Sequence, residues 1–212
     1  MKQTLILGAS GQIGNMATKQ LLAEGQSVIA LVRDKNKLAD IASDKKLRIV
    51  EVDLEQDFSQ AFNDCDQVIF SAGSGGKTGA DKTMLIDLWA ACKAIDYAKA
   101  ANVSHFIMVS SIGADDPDQG SEQMKPYLVA KHMADEHLIN SGLNYTIFRP
   151  ASLTDDRATG KVQTQRPSSK QEMTIHREDV ARALTYAVGK PQLGGKVFEL
   201  FNGSKSLTDV LN

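Results

Sequence analysis

The sequence is poor in cysteine, carries no excess of either charge and contains no long apolar run, and each of these absences removes a class of function. The two cysteines, Cys65 and Cys92, stand far apart, with no Cys-x-x-Cys and no histidine close by, so a disulfide framework and a zinc site are both disfavoured. They read as ordinary thiols, and no metal is expected. Lysine and arginine total 24 against 26 acidic residues, a formal net charge of −2. The basic residues are scattered, leaving no basic face for nucleic acid or anionic lipid. No segment approaches the ~18 consecutive apolar residues that a membrane span needs, and Met1-Lys2-Gln3-Thr4 runs into an apolar segment without signal-peptide features. A cytoplasmic protein with neither nucleic acid nor membrane as partner is expected. Across 212 residues there is also no composition break, linker or repeat, which predicts one domain spanning 1–212.

What is present begins at residue 5. Leu5-Ile6-Leu7-Gly8-Ala9-Ser10-Gly11-Gln12-Ile13-Gly14 takes an apolar strand into three glycines spaced three apart and then into a helix. A strand that turns sharply into a helix against a diphosphate has no room for Cβ atoms. The free N–H groups of Ser10 to Gly14 at the positive end of the helix dipole would then face the phosphates. On this reading Gly8, Ser10, Gly11, Gln12, Ile13 and Gly14 form a nucleotide phosphate cradle. Plain packing also uses glycine-rich turns, but here Met16, Ala17, Leu21 and Leu22 give the helix an apolar stripe. A second strand at 27–32 after Gly25 completes a βαβ unit of the required length.

Strands at 47–52, 67–71, 105–110 and 145–149 continue the alternation with helices near 12–24, 35–43, 56–63, 82–101 and 122–141. The last of these is stopped by Ser141-Gly142. This pattern predicts an α/β fold, a single-domain, doubly wound parallel sheet of the Rossmann type. The core would occupy about 1–150. A short extension, about 151–212, is expected to cover the substrate side, with strands near 160–165, 172–176 and 197–201 and a helix at 177–189.

Tyr127 and Lys131 are four residues apart and so share one face of their helix. An ammonium beside a phenol lowers the cost of forming tyrosinate, which suits a group that gives or takes a proton. The alternative is a surface pair of no consequence. The strand at 105–110 ends in Ser110-Ser111, placing a hydroxyl at the carboxyl edge of the sheet, where such folds bind ligands.

The glycine triplet, the strand-terminal serines and Tyr-x-x-x-Lys, in this order, resemble the short-chain dehydrogenase/reductase superfamily over nearly the whole chain. The Gly-x-x-Gly-x-x-Gly spacing is similar to that of its extended and atypical branches. Ser71-Ala72-Gly73-Ser74-Gly75, Thr78 to Thr83, Tyr127 to Lys131 and Arg149-Pro150 resemble a compact bacterial group of NAD(P)-binding, NmrA-like or epimerase-like proteins. The resemblance implies Tyr127 as proton donor, Lys131 as its partner and a ligand of the nicotinamide ribose, and Ser111, ahead of Ser110, as the hydroxyl that holds the substrate. It also implies cofactor contacts from Ala72 and Gly73, an adenine contact at Asp53-Leu54, and backbone beside the nicotinamide at Pro150. The Asn that typical members carry after the fourth strand is missing, since the stretch reads Phe70-Ser71-Ala72-Gly73. That departure favours an atypical assignment.

Cofactor choice turns on Leu31-Val32-Arg33-Asp34. Arginine past the second strand can pair a 2′-phosphate, whereas a carboxylate there accepts ribose hydroxyls and repels that phosphate. Arg33 comes first, supported by Lys35 and Lys37, so NADP is favoured over NAD, and Asp34 reads as a cap. Gly75-Gly76-Lys77-Thr78 imitates a triphosphate loop, but Ser71 stands where its first glycine is required. Residues 74–82 read instead either as a flap over the cofactor, with Lys77 near substrate, or as a plain surface loop. His176 reads as part of a helix start with Glu178 and Asp179 rather than as a base, His132 and His137 as structural, and Trp89 with Leu85, Leu88 and Ile95 as core or a subunit face.

The expected function is NAD(P)(H)-dependent hydride transfer to or from a small carbonyl or alcohol substrate, with Tyr127 as acid/base. The alternatives are a redox sensor without turnover, an epimerase or dehydratase, and a flavin or quinone reductase. The sequence leaves the oligomeric state open; the resemblance implies that a homodimer would form through the helices at 82–101 and 122–141.

Overall fold

In the computed structural model, which describes residues 3–76 and 78–211, alternation along the strands sorts the apolar residues into two layers. Strands β1 (Gln3–Leu7), β2 (Ser27–Val32), β3 (Leu47–Glu51), β4 (Gln67–Phe70), β5 (His105–Val109) and β6 (Tyr145–Pro150) pair in parallel in the order β3-β2-β1-β4-β5-β6. Leu5, Leu7, Ile29, Leu31, Val68, Phe70, Phe106 and Met108 point to one face. Ile6, Val28, Ala30, Val32, Ile69 and Ile107 point to the other. Full burial of each such side chain contributes about 1.5–3 kcal/mol, so a one-residue slip in register would be prohibitive.

Helices cover both layers. On the first face lie α2, residues 80–100, and α3 (Lys125–Ile139), through Ala90, Ala94, Ile95, Ala130, Ala134 and Leu138. On the second lie α1 (Gln12–Ala23) and α4 (Arg177–Ala187), through Ala17, Leu21, Val180, Ala181 and Leu184. The expected doubly wound α/β fold is therefore observed.

Three expectations need correction. The helices expected at 35–43 and 56–63 are single 3₁₀ turns, Lys35–Leu38 and Ser59–Phe62. In the first, the Asp34 side chain accepts the Asn36 N–H and starts a tight turn, and its only fully buried anchor is Leu38. In the second, the Asp57 carboxylate does the same for Ser59, and Asp64, with φ 67°, ends the segment. Helix α2 is not a regular helix: its stretch Thr83–Ala90 is π-helical, between α-helical Ala80–Lys82 and Ala91–Ala100.

Past Pro150, β10 (Lys196–Asn202) joins the main sheet parallel to β6, and β8 (Val162–Gln163) adds antiparallel to it. β7 (Ser152–Thr154) and β9 (Thr174–His176) form a separate parallel pair with Thr154 opposite His176. Arg166 ties the long loop between β8 and β9 to Asp115 and Glu199.

Candidate cofactor and active site

The sheet order reverses between β1 and β4, so the loops after these strands diverge and leave a crevice at their carboxyl ends. Gly8 turns the chain with φ +87°, and a Cβ there would lie 2.7 Å from the Ala72 backbone. At Gly14 a Cβ would stand 2.2 Å from the Gly8 carbonyl oxygen. These two glycines are therefore required by the fold itself. Gly11 differs, because its Cβ would meet nothing nearer than the Gly8 oxygen at 3.2 Å; its missing side chain leaves the mouth of the turn open. It also begins α1 without a side-chain cap and with no acidic residue in the first turn, so the helix presents unspent N–H groups. A diphosphate fits this cradle. Ser71, whose Oγ donates to the Leu7 carbonyl at 3.1 Å, closes the crevice from the β4 side.

At the far end of β2, Arg33 is exposed and forms no ion pair among the described residues, whereas Lys35 is held by Glu51. Asp34 spends one oxygen on Asn36. Lys37 lines a cavity of about 320 Å³ with Ser10, Gly11 and Asn15. Asp53 accepts the Glu55 N–H, and Leu54 is packed in the core. Lys93 holds this loop by donating to the carbonyls of Leu54 (2.8 Å) and Gln56 (2.7 Å).

The carboxyl edge of β5 gathers the second group of predicted residues. Tyr127 and Lys131 share one face of α3, and Lys131, only 2% exposed, donates from Nζ to the Val109 carbonyl at 2.7 Å. Ser111 lies beside the phenol, close enough to favour its ionised form, while its hydroxyl donates to the Ile112 carbonyl at 3.1 Å. Ser110 turns the other way, into the interior, and donates to Asp135 at 2.8 Å. Ser111 is thus the serine that faces the phenol.

Lys131 lowers the cost of ionising Tyr127, as expected, but burial outweighs it. Burial pushes the phenol above its ordinary value, and this outweighs the pull of Lys131; Asp87 adds to the rise, Ser111 opposes it, and Asp135 adds again. Pro150 is buried, its carbonyl accepting the Ile112 N–H at 3.1 Å and so fixing the strand end beside Ser111.

Sequence reasoning missed two carboxylates here. Asp135, fully buried, stands two turns beyond Tyr127 on the same face of α3; it accepts from Ser110 and from Arg149 Nε at 2.9 Å, and its second oxygen has no partner. Burial raises its pKa against the influence of Lys131, Ser110 and Arg149. Asp87, 2% exposed, sits in the π-helical stretch and accepts the Ser74 N–H at 3.0 Å, anchoring the root of the flap. The period from Tyr127 would have found Asp135, and a carboxylate inside Leu85-Ile86-Asp87-Leu88 was itself a signal.

Other readings fall as follows. Lys77 lies outside the described residues. His176 Nδ1 meets Asp179 at 3.0 Å at the start of α4, His132 meets the Ala114 carbonyl and His137 meets Asp96. Ile95 is core, whereas Trp89 is 57% exposed. Cys65 and Cys92 are unpaired, with burial pushing their thiols to about 12 and about 11. No helix of the described residues is long and apolar enough to cross a membrane.

A family model described as NAD(P)H-binding matches residues 8–191, which takes in both the cradle and the Tyr127 group. The chain belongs to this NAD(P)H-binding family. A Bacillus subtilis (strain 168) protein named as an uncharacterized sugar epimerase, YhfK, is 36% identical over 213 residues, 99% of this chain and 98% of its own. The solved structure of a putative NAD-dependent epimerase/dehydratase from Bacillus halodurans is 41% identical, with a TM-score of 0.92 over 100% of this chain and 99% of that one. The oxidoreductase ylbE from Lactococcus lactis is 27% identical, with a TM-score of 0.86 over 99% and 94%. Membership of the NAD(P)H-binding family and these relatives bear out the resemblance to atypical short-chain dehydrogenase/reductase proteins.

Proposed function

We propose that the protein is an NADP(H)-dependent oxidoreductase that reduces a small carbonyl substrate, with Tyr127 as the proton donor. The observation that carries this reading is the grouping at the carboxyl edge of β5: Tyr127 and Lys131 share one face of α3, with Ser111 beside the phenol. When bound, the dinucleotide supplies the hydride. Ser111 holds the carbonyl oxygen, and Tyr127 passes its proton to that oxygen as negative charge develops there. Lys131, fixed on the Val109 carbonyl, steadies the charge left on the phenol. Its role toward the nicotinamide ribose, and those of Ala72, Gly73, Asp53 and Leu54 toward the cofactor, belong to the same proposal. NADP is preferred over NAD because Arg33 and Lys37 are unpaired among the described residues while Asp34 is engaged. Cytoplasmic residence accords with the two unpaired thiols.

The test is Tyr127→Phe, assayed with NADPH against aldehydes, ketones, quinones and flavins. A loss of about 10²–10⁴-fold in kcat is expected. Unchanged turnover would remove the phenol from the mechanism and favour direct hydride transfer to a flavin or quinone. An epimerase reading is favoured by the names of the Bacillus relatives. It predicts substrate interconversion with no net change in nicotinamide absorbance, the opposite of the reductase outcome.

A further inference from the structure

Helices α1 and α4 run side by side in the same direction. Gln12, the first residue of α1, and Arg177, the first of α4, meet the same oxygen of Asp155, while further along Thr185 of α4 meets Gln20 of α1 at 3.2 Å. Both positive helix ends therefore open at one place, the mouth of the glycine cradle. The start of α4 is balanced by its own acids: Glu178 pairs with Arg182, and buried Asp179 accepts the N–H groups of Thr159 and Gly160. The start of α1 has neither a capping side chain nor an acid in its first turn.

Into this positive corner the β7–β9 pair delivers one further charge of each sign. Thr154 is opposite His176 in the register, so the next residues, Asp155 and Arg177, leave the two strands together. Arg177 NH1 donates to Asp155 Oδ1 at 2.8 Å, and the Gln12 amide reaches the same oxygen at 3.4 Å. A cation at the first position of a helix works against the dipole. Its placement there makes sense when an anion comes to it. The Asp155 carboxylate is 71% exposed and joined to the cradle only through these contacts, which makes it an exchangeable partner.

We propose that Arg177 is a ligand of the dinucleotide's diphosphate, and that Asp155 is an internal substitute for that anion which gives way when the cofactor enters. The inference rests on the NAD(P)-binding reading of the cradle. A diphosphate brings more charge than one carboxylate and accepts several donors at once, so the guanidinium gains by the exchange. The segment from Asp155 to Gly160 then moves away from the cradle while Asp179 keeps hold of its far end.

The test is binding, followed by nicotinamide fluorescence with NADPH and NADH. Adenosine 2′-phosphate, which lacks the diphosphate and the nicotinamide, serves as the control probe, its binding followed by calorimetry. Arg177→Ala should weaken binding of the preferred dinucleotide by about tenfold or more and leave the control probe unaffected. Asp155→Asn, with the guanidinium intact, should tighten dinucleotide binding by about threefold. Wild-type affinity in Arg177→Ala overturns the inference. So does an equal loss for adenosine 2′-phosphate, which would mean that Arg177 only supports the fold, and so does weaker binding in Asp155→Asn. Should Arg177→Ala fail to fold, Asp155→Asn decides alone. Failure of the wild-type protein to bind either dinucleotide is a separate result, because it removes the cofactor reading itself.

Discussion

The two edges of one sheet bury polar groups in opposite ways. At the amino edge they are neutral: Gln67 accepts the Gly189 N–H at 2.7 Å, and Thr146 meets His105 Nε2 and donates to the Leu193 carbonyl at 2.9 Å, with His105 Nδ1 left unpartnered. At the carboxyl edge charged groups are buried instead: Lys131 on a carbonyl, Asp135 with one bare oxygen and Asp87 under the flap, around the Tyr127 phenol. A buried neutral group costs about 1–3 kcal/mol at most when a partner is missing, whereas buried charges cost several kcal/mol in desolvation unless they are paired. A fold keeps such charges where they act, which is why the carboxyl edge reads as the site and the amino edge as scaffold.

Three experiments sharpen this contrast. The largest effect is expected from Arg149→Leu, which leaves Asp135 buried without its cationic partner and should destabilise the fold by about 3–5 kcal/mol in chemical denaturation. Because the folded-state pKa of Asp135 is already raised, the folded state binds more protons than the unfolded one. The loss should therefore grow as pH rises above the ordinary carboxylate range.

Next is the amino edge, where burial lowers the pKa of His105 to about 4. Above about 6.5 the ring is neutral in both states. As pH falls from about 6.5 toward 4 the unfolded chain gains a proton that the folded one refuses, so stability should drop by about 3 kcal/mol. His105→Gln should flatten that slope and leave dinucleotide affinity unchanged; a change in affinity would break the division between the edges. The smallest effect is at the rim: Arg33→Ala should weaken NADPH by about tenfold and NADH by far less, and equal affinities would remove the NADP preference.

Legibility in the sequence divides along physical lines. Gly8 and Gly14 were readable because the positive φ at Gly8 and the closeness of its carbonyl to Gly14 belong to one short turn, and Tyr127 with Lys131 because helical spacing is regular. Asp135 was readable by the same spacing, one turn beyond Lys131, but a carboxylate on a helix is ordinarily taken for surface. Asp87 was hidden by the π-helical stretch of α2, where a period of 3.6 residues no longer predicts which side chains face inward. The meeting of Asp155 with Arg177 depends on β7 pairing with β9; β9 falls within the strand expected near 172–176, but three-residue β7 is too short to announce itself by alternation. The pull of the ammonium on the tyrosine was readable because it is local in sequence, whereas the burial that outweighs it comes from the whole fold.

The most direct test is a crystal structure of the wild-type protein with NADPH. The diphosphate is predicted on the turn from Gly8 to Gly14 and the nicotinamide ring next to the Tyr127 hydroxyl. A dinucleotide bound elsewhere, or a ring out of reach of that hydroxyl, would contradict the account.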